Sequence, residues 1–295
     1  MGVEVKGGGS VSEAEVRPAW QAALVDQLLT TFAAEDYQPP LLPGAALQLL
    51  DLARDPDVPM SQIIALLETE PLIVARVIRT AQSPLYSTGA RIRSIEDAVL
   101  RLGTRSIALI FTEAAVHAGV FSSQKFKAPM QALRKHSTAT AHIARKLAER
   151  LGQPGDRVYL SGLLHDIGIA ACLLVAPDLR SPDGRPFGFA DLEQPIFDVH
   201  EQAGQLLSSL WNMPEGLRWV FAHHHSFALR THVSPMAAMV CLASWIASEA
   251  GAGVIDGGQA EQAAAAARQF GWGDDMQALV SLGDELVAEI AHGEP

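Results

Sequence analysis

The sequence predicts an all-α protein, and three observations carry that reading. Apolar residues recur three and four apart in one segment after another. Alternating strand patterns are almost absent, and Pro, Gly and capping residues punctuate the chain at helix-length intervals.

The elements follow in order. Residues 1–17 are Gly-rich and charged and are expected to form a disordered arm. A first helix is expected from about Pro18 to Ala34, with Trp20, Ala23, Leu24, Leu28 and Phe32 as its stripe, and the prolines between Pro39 and Pro43 end it. A second runs from Ala45 to Ala53. Ser61 is a candidate cap for a third, which carries Ile63, Ile64, Leu66 and Leu67. Pro71 suits the first turn of a fourth, continued by Leu72, Val74, Val77, Ile78 and Ala81. Ser94 and Asp97 resemble a capping box, Gly103 supplies a stop, and Thr104 is placed to cap a further helix to about Ala118. Pro129 opens a long helix that ends at Gly152. Helices over about 156–176, 198–211, 215–226 and 234–250 follow, with loops at 177–195 and 226–233. Two more flank the Gly271-Trp272-Gly273 break, and the alanines at 263–267 read as an exposed helix. The division is an N-terminal helical subdomain over 18–128 and a helical bundle with a C-terminal extension over 129–295. Apolar positions in that extension leave a homodimer open, with packing back onto the bundle as the alternative.

Composition narrows the function classes. At 48% hydrophobic and 19% charged residues, the 295-residue chain can bury a sizeable core. A formal net charge of -11 repels phosphate backbones, so nucleic acid is not expected as a partner. Cys172 and Cys241 have no paired spacing and read as buried thiols. No leader pattern is seen at the N-terminus, and no apolar run is read as approaching the ~20 residues a membrane span needs. A cytoplasmic protein without a membrane segment is expected.

The histidines carry the chemistry. Leu133, His136, Thr140, Ile143, Leu147 and Leu151 share one helix face, so His136 points inward. His200 aligns with Ala203, Leu207 and Leu210, and His224 with Leu217 and Val220. His165-Asp166 interrupts the apolar run from Leu160 to Ala171. Buried imidazoles and a carboxylate must satisfy one another or a metal, and together they suit Zn, Fe, Ni or Mn. A hydrogen-bonded polar core is the alternative. Of His223, His224 and His225, one or two can join the cluster, because adjacent helical residues point apart. His117, His142, His232 and His292 fit no common face and are assigned to surface or ordinary packing.

The order His136, then Leu163-Leu164-His165-Asp166-Ile167-Gly168, then His200, then His223-His224 resembles the HD superfamily of metal-dependent phosphohydrolases. Upstream, Leu41-Leu42-Pro43-Gly44, the stretch from Glu70 to Ser83, Tyr86, and the stretch from Ile92 to Gly103 resemble the HDOD family, an HD-related output domain of bacterial signalling proteins. The resemblance runs from about residue 38 to 250. It implies an HDOD architecture, an N-terminal helical subdomain joined to an HD-like bundle, with His136, His165, Asp166, His200, His223 and His224 as metal ligands. Glu70 stands where the family usually has Asp, and Gln82 where it usually has Asn. HD hydrolases also carry a late metal-binding Asp, and the matching stretch, Val240 to Ala247, offers Ser244 instead. Ile169 replaces the Lys of the cyclic-dinucleotide phosphodiesterases of the superfamily, and their Gly-Tyr-Pro loop is absent.

Two functions follow from the resemblance. One is a non-catalytic signal-transduction module acting through a signalling protein partner or a small ligand such as a nucleotide second messenger. The Leu-Pro-Gly turn and the loop from Ser83 to Arg93 are its candidate contacts. The other is a metal-dependent phosphodiesterase or phosphohydrolase acting on a nucleotide or cyclic dinucleotide, with Asp166 in the catalytic set. No organic cofactor is implied.

Overall fold

The computed structural model describes residues 18–40, 44–53, 55, 57–82, 92–121, 123–153, 155–229, 232–255, 259–273 and 275–293. The 1–17 arm, the Leu41 to Pro43 part of the Leu-Pro-Gly turn and nearly all of the Ser83 to Arg93 loop lie outside these residues.

The described chain is helical almost throughout. Four helices come first: α1 (Ala19–Ala33), α2 (Gly44–Leu52), α3 (Met60–Leu67) and α4 (Pro71–Ala81). Next is α5 (Ile95–Gly119), where Ser94 Oγ accepts from the Asp97 amide at 3.1 Å. The stop expected at Gly103 is a kink within α5, with φ at +78°. The bundle begins with α6 (Lys127–Arg150), which carries Pro129 in its first turn, where a missing N–H is tolerated.

The single helix expected over 156–176 is two, α7 (Asp156–Leu164) and α8 (Ile167–Val175). The break falls at His165-Asp166, and Asp166 leaves helical geometry at φ -95°, ψ 19°. By length and composition 156–178 and 235–252 would suffice to cross a membrane, contrary to the expectation that no such run exists. In this fold both are core segments, and the first carries a His-Asp pair at its centre.

Helix α9 (Phe189–Leu210) starts well before the expected 198 and continues through Pro195. Asp191 accepts from the Gly188 amide at 2.9 Å to hold its start. Leu192, Ile196, Val199, Ala203 and Leu207 form one buried stripe spanning the proline. After α10 (Glu215–His223), the expected loop at 226–233 includes a two-residue antiparallel ribbon, β1 (Ala228–Leu229) with β2 (His232–Val233). Helix α11 (Pro235–Ala247) runs into a π turn over Ser248–Ala252, and α12 (Ala260–Gln269) and α13 (Met276–Gly293) complete the chain.

Two apolar cores result. The smaller joins α2, α3 and α4 to one face of α5, through Ala46, Leu49, Ile63, Leu67, Val77, Ile107 and Phe111. The larger is the bundle of α6 to α13, and α5 reaches it with Leu109, Val116 and Val120. Helix α5 is therefore the wall shared by both. Helix α1 precedes the smaller core in sequence, yet Leu24, Leu28 and Phe32 bury in the larger one, against α9. Each such side chain is worth about 1.5–3 kcal/mol when removed from water. The C-terminal helices fold back: Leu279, Leu286, Val287 and Ile290 are buried in the same core. Ala263, Ala266 and Ala267 are fully buried too, so the alanine run is a close-packed face and not an exposed helix.

Candidate metal centre

Close helix packing sets the site. A Cβ on Gly162 would lie 2.9 Å from Ala141 Cα, so α7 sits directly against the backbone of α6. A Cβ on Gly168 would fall 1.9 Å from the His200 carbonyl oxygen, so α8 and α9 cross with no side chain between them. These approaches bring His136 of α6, the His165-Asp166 break and His200 of α9 to one point, and the residues just past α10 complete it. His136, His165, Asp166, His200 and His224 are all at most 7% exposed.

The Asp166 carboxylate spans two groups. Its Oδ2 lies 3.1 Å from His165 Nε2 and 3.5 Å from His136 Nε2. Its Oδ1 lies 3.2 Å from His224 Nε2 and 3.6 Å from His200 Nε2. His225 joins the second group, its Nε2 3.0 Å from His200 Nε2. The ligand atoms of Asp166, His200, His224 and His225 lie within 4.8 Å of one another, as do those of His136, His165 and Asp166.

The outer nitrogens decide the tautomers. His136 Nδ1 donates to the Ala252 carbonyl at 3.1 Å, His165 Nδ1 to Gly162 at 2.7 Å, His200 Nδ1 to Phe197 at 2.7 Å and His224 Nδ1 to Val220 at 3.1 Å. A carbonyl only accepts, so each Nδ1 carries the hydrogen. In a neutral ring the inward Nε2 is then a bare lone pair, the arrangement of a metal-ligating histidine. Burial favours the neutral form: it lowers His136 and His224 to about 4, and it also lowers His200 and His225. His165 is the exception. Burial opposes its charge, but the adjacent Asp166 carboxylate outweighs burial and raises it. Asp166 is held well below the usual carboxylate range against its own burial, by His165 and His224.

This leaves more acceptors than donors. His200 Nε2 faces His224 Nε2 at 3.2 Å, two lone pairs with no hydrogen between them in neutral rings, and lies 3.0 Å from Nε2 of His225, whose Nδ1 has no partner to set that ring's tautomer. His165 Nε2 and Asp166 Oδ1, close as their neighbours are, have no hydrogen bond of good geometry. Converging lone pairs around one carboxylate are what a divalent transition metal satisfies, and the residues fit it. The Asp166–His200–His224–His225 group offers a full four-ligand set. The other offers two imidazoles and the shared carboxylate, and its remaining neighbour is Ser244 Oγ, 3.1 Å from His136 Nε2.

Of the residues singled out from sequence, His136, His165, Asp166, His200 and His224 meet here. His223 does not: it ends α10 half-buried, its ring 4.5 Å from that of Trp219. His225 occupies the position expected for it, because the chain leaves the helix at His223 and turns. Sequence reasoning also missed Glu201, whose carboxylate accepts from the His225 amide at 3.0 Å and is raised to about 7 by burial. Its one signal is adjacency to His200.

A cavity of about 520 Å³ opens over the cluster, lined by His136, Asp166, His200, His225 and Ser244 at its base and by Phe197, Trp245, Val254, Ile255 and Gln259 around it. Two histidines assigned to surface or ordinary packing form a second polar cluster. Tyr159 OH donates to Glu113 Oε2, Thr138 donates to Glu113 Oε1 at 3.2 Å, and His117 Nε2 meets Thr138 Oγ1 at 3.1 Å. His142 Nε2 is 3.9 Å from Glu113 Oε2, and its ring stands edge-on to Tyr159. The side chains of His232 and His292 lie outside those described.

Comparison with known proteins agrees with this architecture. A Treponema pallidum (strain Nichols) protein, described as uncharacterized, is 23% identical over 195 residues, which are 63% of this chain and 37% of that protein. The chain thus spans little more than a third of that relative's length. An HDOD domain protein of unknown function from Geobacter sulfurreducens has a TM-score of 0.70 at 23% identity, covering 93% of this chain and 98% of its own. A Shewanella amazonensis SB2B structure, described as a candidate metal-dependent phosphohydrolase, also has 0.70 at 21% identity, covering 92% and 99%. A candidate signal transduction protein from Marinobacter aquaeolei VT8 has 0.63 at 21%, covering 92% of this chain and 66% of that one. At these identities the likeness is one of fold. The HDOD domain family itself matches residues 40–227, more than half of the sequence, and the chain belongs to that family.

Proposed function

We propose that this chain is a cytoplasmic regulatory module of bacterial signal transduction, which works by binding through one metal-organised cavity and a signalling protein partner. In this reading a divalent Fe, Mn, Ni or Zn ion is held by Asp166, His200, His224 and His225, and it would supply a Lewis-acidic centre at the cavity base. The chain's own carbonyls fix the tautomers of His200 and His224, and burial excludes water from three of the ligands, Asp166, His200 and His224, and leaves the His225 side open.

The observation that carries the regulatory reading is Ser244. It stands beside His136, where a second cation would need another negative charge, and a hydroxyl supplies none. One carboxylate shared between two groups supports one dication better than two. The competing reading, a phosphohydrolase acting on a nucleotide or cyclic dinucleotide, draws on Asp166 reaching both groups at once.

The test is phosphodiester turnover by the full chain in excess Mn²⁺, beside Ser244→Asp. The regulatory reading expects no turnover above background from the wild type. Sustained wild-type turnover that is lost in His200→Ala would overturn it.

A further inference from the structure

We infer that the cavity over the histidines takes an uncharged planar ligand, a one- or two-ring nitrogen heterocycle or its nucleoside, and rejects phosphorylated nucleotides. The inference rests on the metal reading above and gives that site its ligand class.

Size and surface come first. About 520 Å³ is within the range of small-molecule sites and is enough for a nucleoside. Phe197 and Trp245, both half-buried, bring aromatic rings to its lining, and Val254 and Ile255 add apolar surface. The Phe197 ring lies 5.5 Å from that of His200 and 5.4 Å from that of His225, so an aromatic wall runs down to the ligand group. Gln259 stands at the same edge, its Nε2 3.3 Å from His225 Nε2, and its amide can both donate to and accept from a heterocycle.

Charge then selects. The described lining holds the carboxylates of Asp166 and Glu249 and no Lys or Arg. The stretches 244–255 and 259–260, which supply much of the described lining, contain no Lys or Arg in their sequence. Lys135, the cation beside His136 in sequence, is turned to the Gly251 carbonyl at 3.2 Å and is not among the lining residues. Asp166 already offsets one charge of the dication and exposed Glu249 adds a carboxylate at the rim, so a phosphate would meet two carboxylates with no Lys or Arg in the described lining to pair with it. A neutral ring nitrogen can approach the metal with no such cost, and the aromatic walls cover its faces.

The experiment is calorimetric titration of the metal-loaded full chain with adenine, adenosine, AMP and cyclic di-GMP, with metal content measured on the same samples. Adenine or adenosine should bind, and AMP and cyclic di-GMP should bind about tenfold more weakly or not at all. Trp245→Leu should weaken adenosine by about tenfold while metal content stays at the wild-type level. Val254→Arg, which adds the missing cation at a half-exposed lining position, should raise AMP binding relative to adenosine. AMP binding as tightly as adenosine, or no binding of any probe by protein that retains its metal, would overturn the inference and leave the metal reading standing. Protein that retains no metal would overturn the reading beneath it, and the inference with it.

Discussion

Helix α6 buries one histidine in each of two polar clusters, and the two differ in how their groups are satisfied. His142, with His117, sits among Glu113, Thr138 and Tyr159, where hydroxyl donors meet carboxylate oxygens. His136, six residues earlier, sits where imidazole lone pairs converge on one carboxylate and on each other. The first cluster closes with protein groups alone. The second has its donors committed outward to backbone carbonyls, and it opens into a cavity. Buried histidines alone therefore do not mark a ligand site, whereas a surplus of inward acceptors does.

Variants can break that comparison, beginning with the largest effect. Asp166→Ala removes the one carboxylate common to both ligand groups. It should abolish metal retention and cost about 3–5 kcal/mol in urea unfolding, because it leaves the buried His165 and His224 without the carboxylate they face. Gly168→Ala tests placement without altering any ligand side chain. Its methyl would overlap the His200 carbonyl, so α8 and α9 must part, at about 3 kcal/mol and with loss of metal. Glu113→Gln should cost about 2 kcal/mol through its bonds to Tyr159 and Thr138 and leave metal content unchanged. If Glu113→Gln also lost metal, the two clusters would not be independent.

The smallest effect is a slope. Burial lowers His142 to about 3, so the folded state stays unprotonated there while the unfolded chain binds a proton below about 6.5. Stability must then fall as pH drops from about 6.5 toward 3, with this residue contributing about 1.4 kcal/mol per pH unit. His142→Gln should flatten the unfolding free energy by that slope relative to wild type and leave the slope above pH 7 unchanged.

Helical periodicity is enough to place His136, His200 and His224 on inward faces, because α6 and α9 are regular where the first two sit and His224, the residue that caps α10, keeps helical backbone angles. It failed where the chain departs from a helix. The run from Leu160 to Ala171 reads as continuous, yet it breaks at His165-Asp166, which turns the Asp166 carboxylate between two groups of imidazoles. His225, not His223, joins the cluster because α10 ends at His223 and helical spacing no longer applies. Helix α9 starts before the expected 198, because Pro195, seven residues into it, costs one hydrogen bond while the buried stripe continues past it. The Glu113 cluster depends on contacts between α5, α6 and α7, which no local pattern carries.

Metal stoichiometry tests the central claim most directly. The full chain, purified without chelators or a His-tag, should hold about one equivalent of a divalent transition metal by elemental analysis, lost in His224→Ala and retained in Glu113→Gln. Well-folded wild type that carries no metal and takes up none of added Mn, Fe, Ni or Zn would contradict it and make the histidine cluster a polar core.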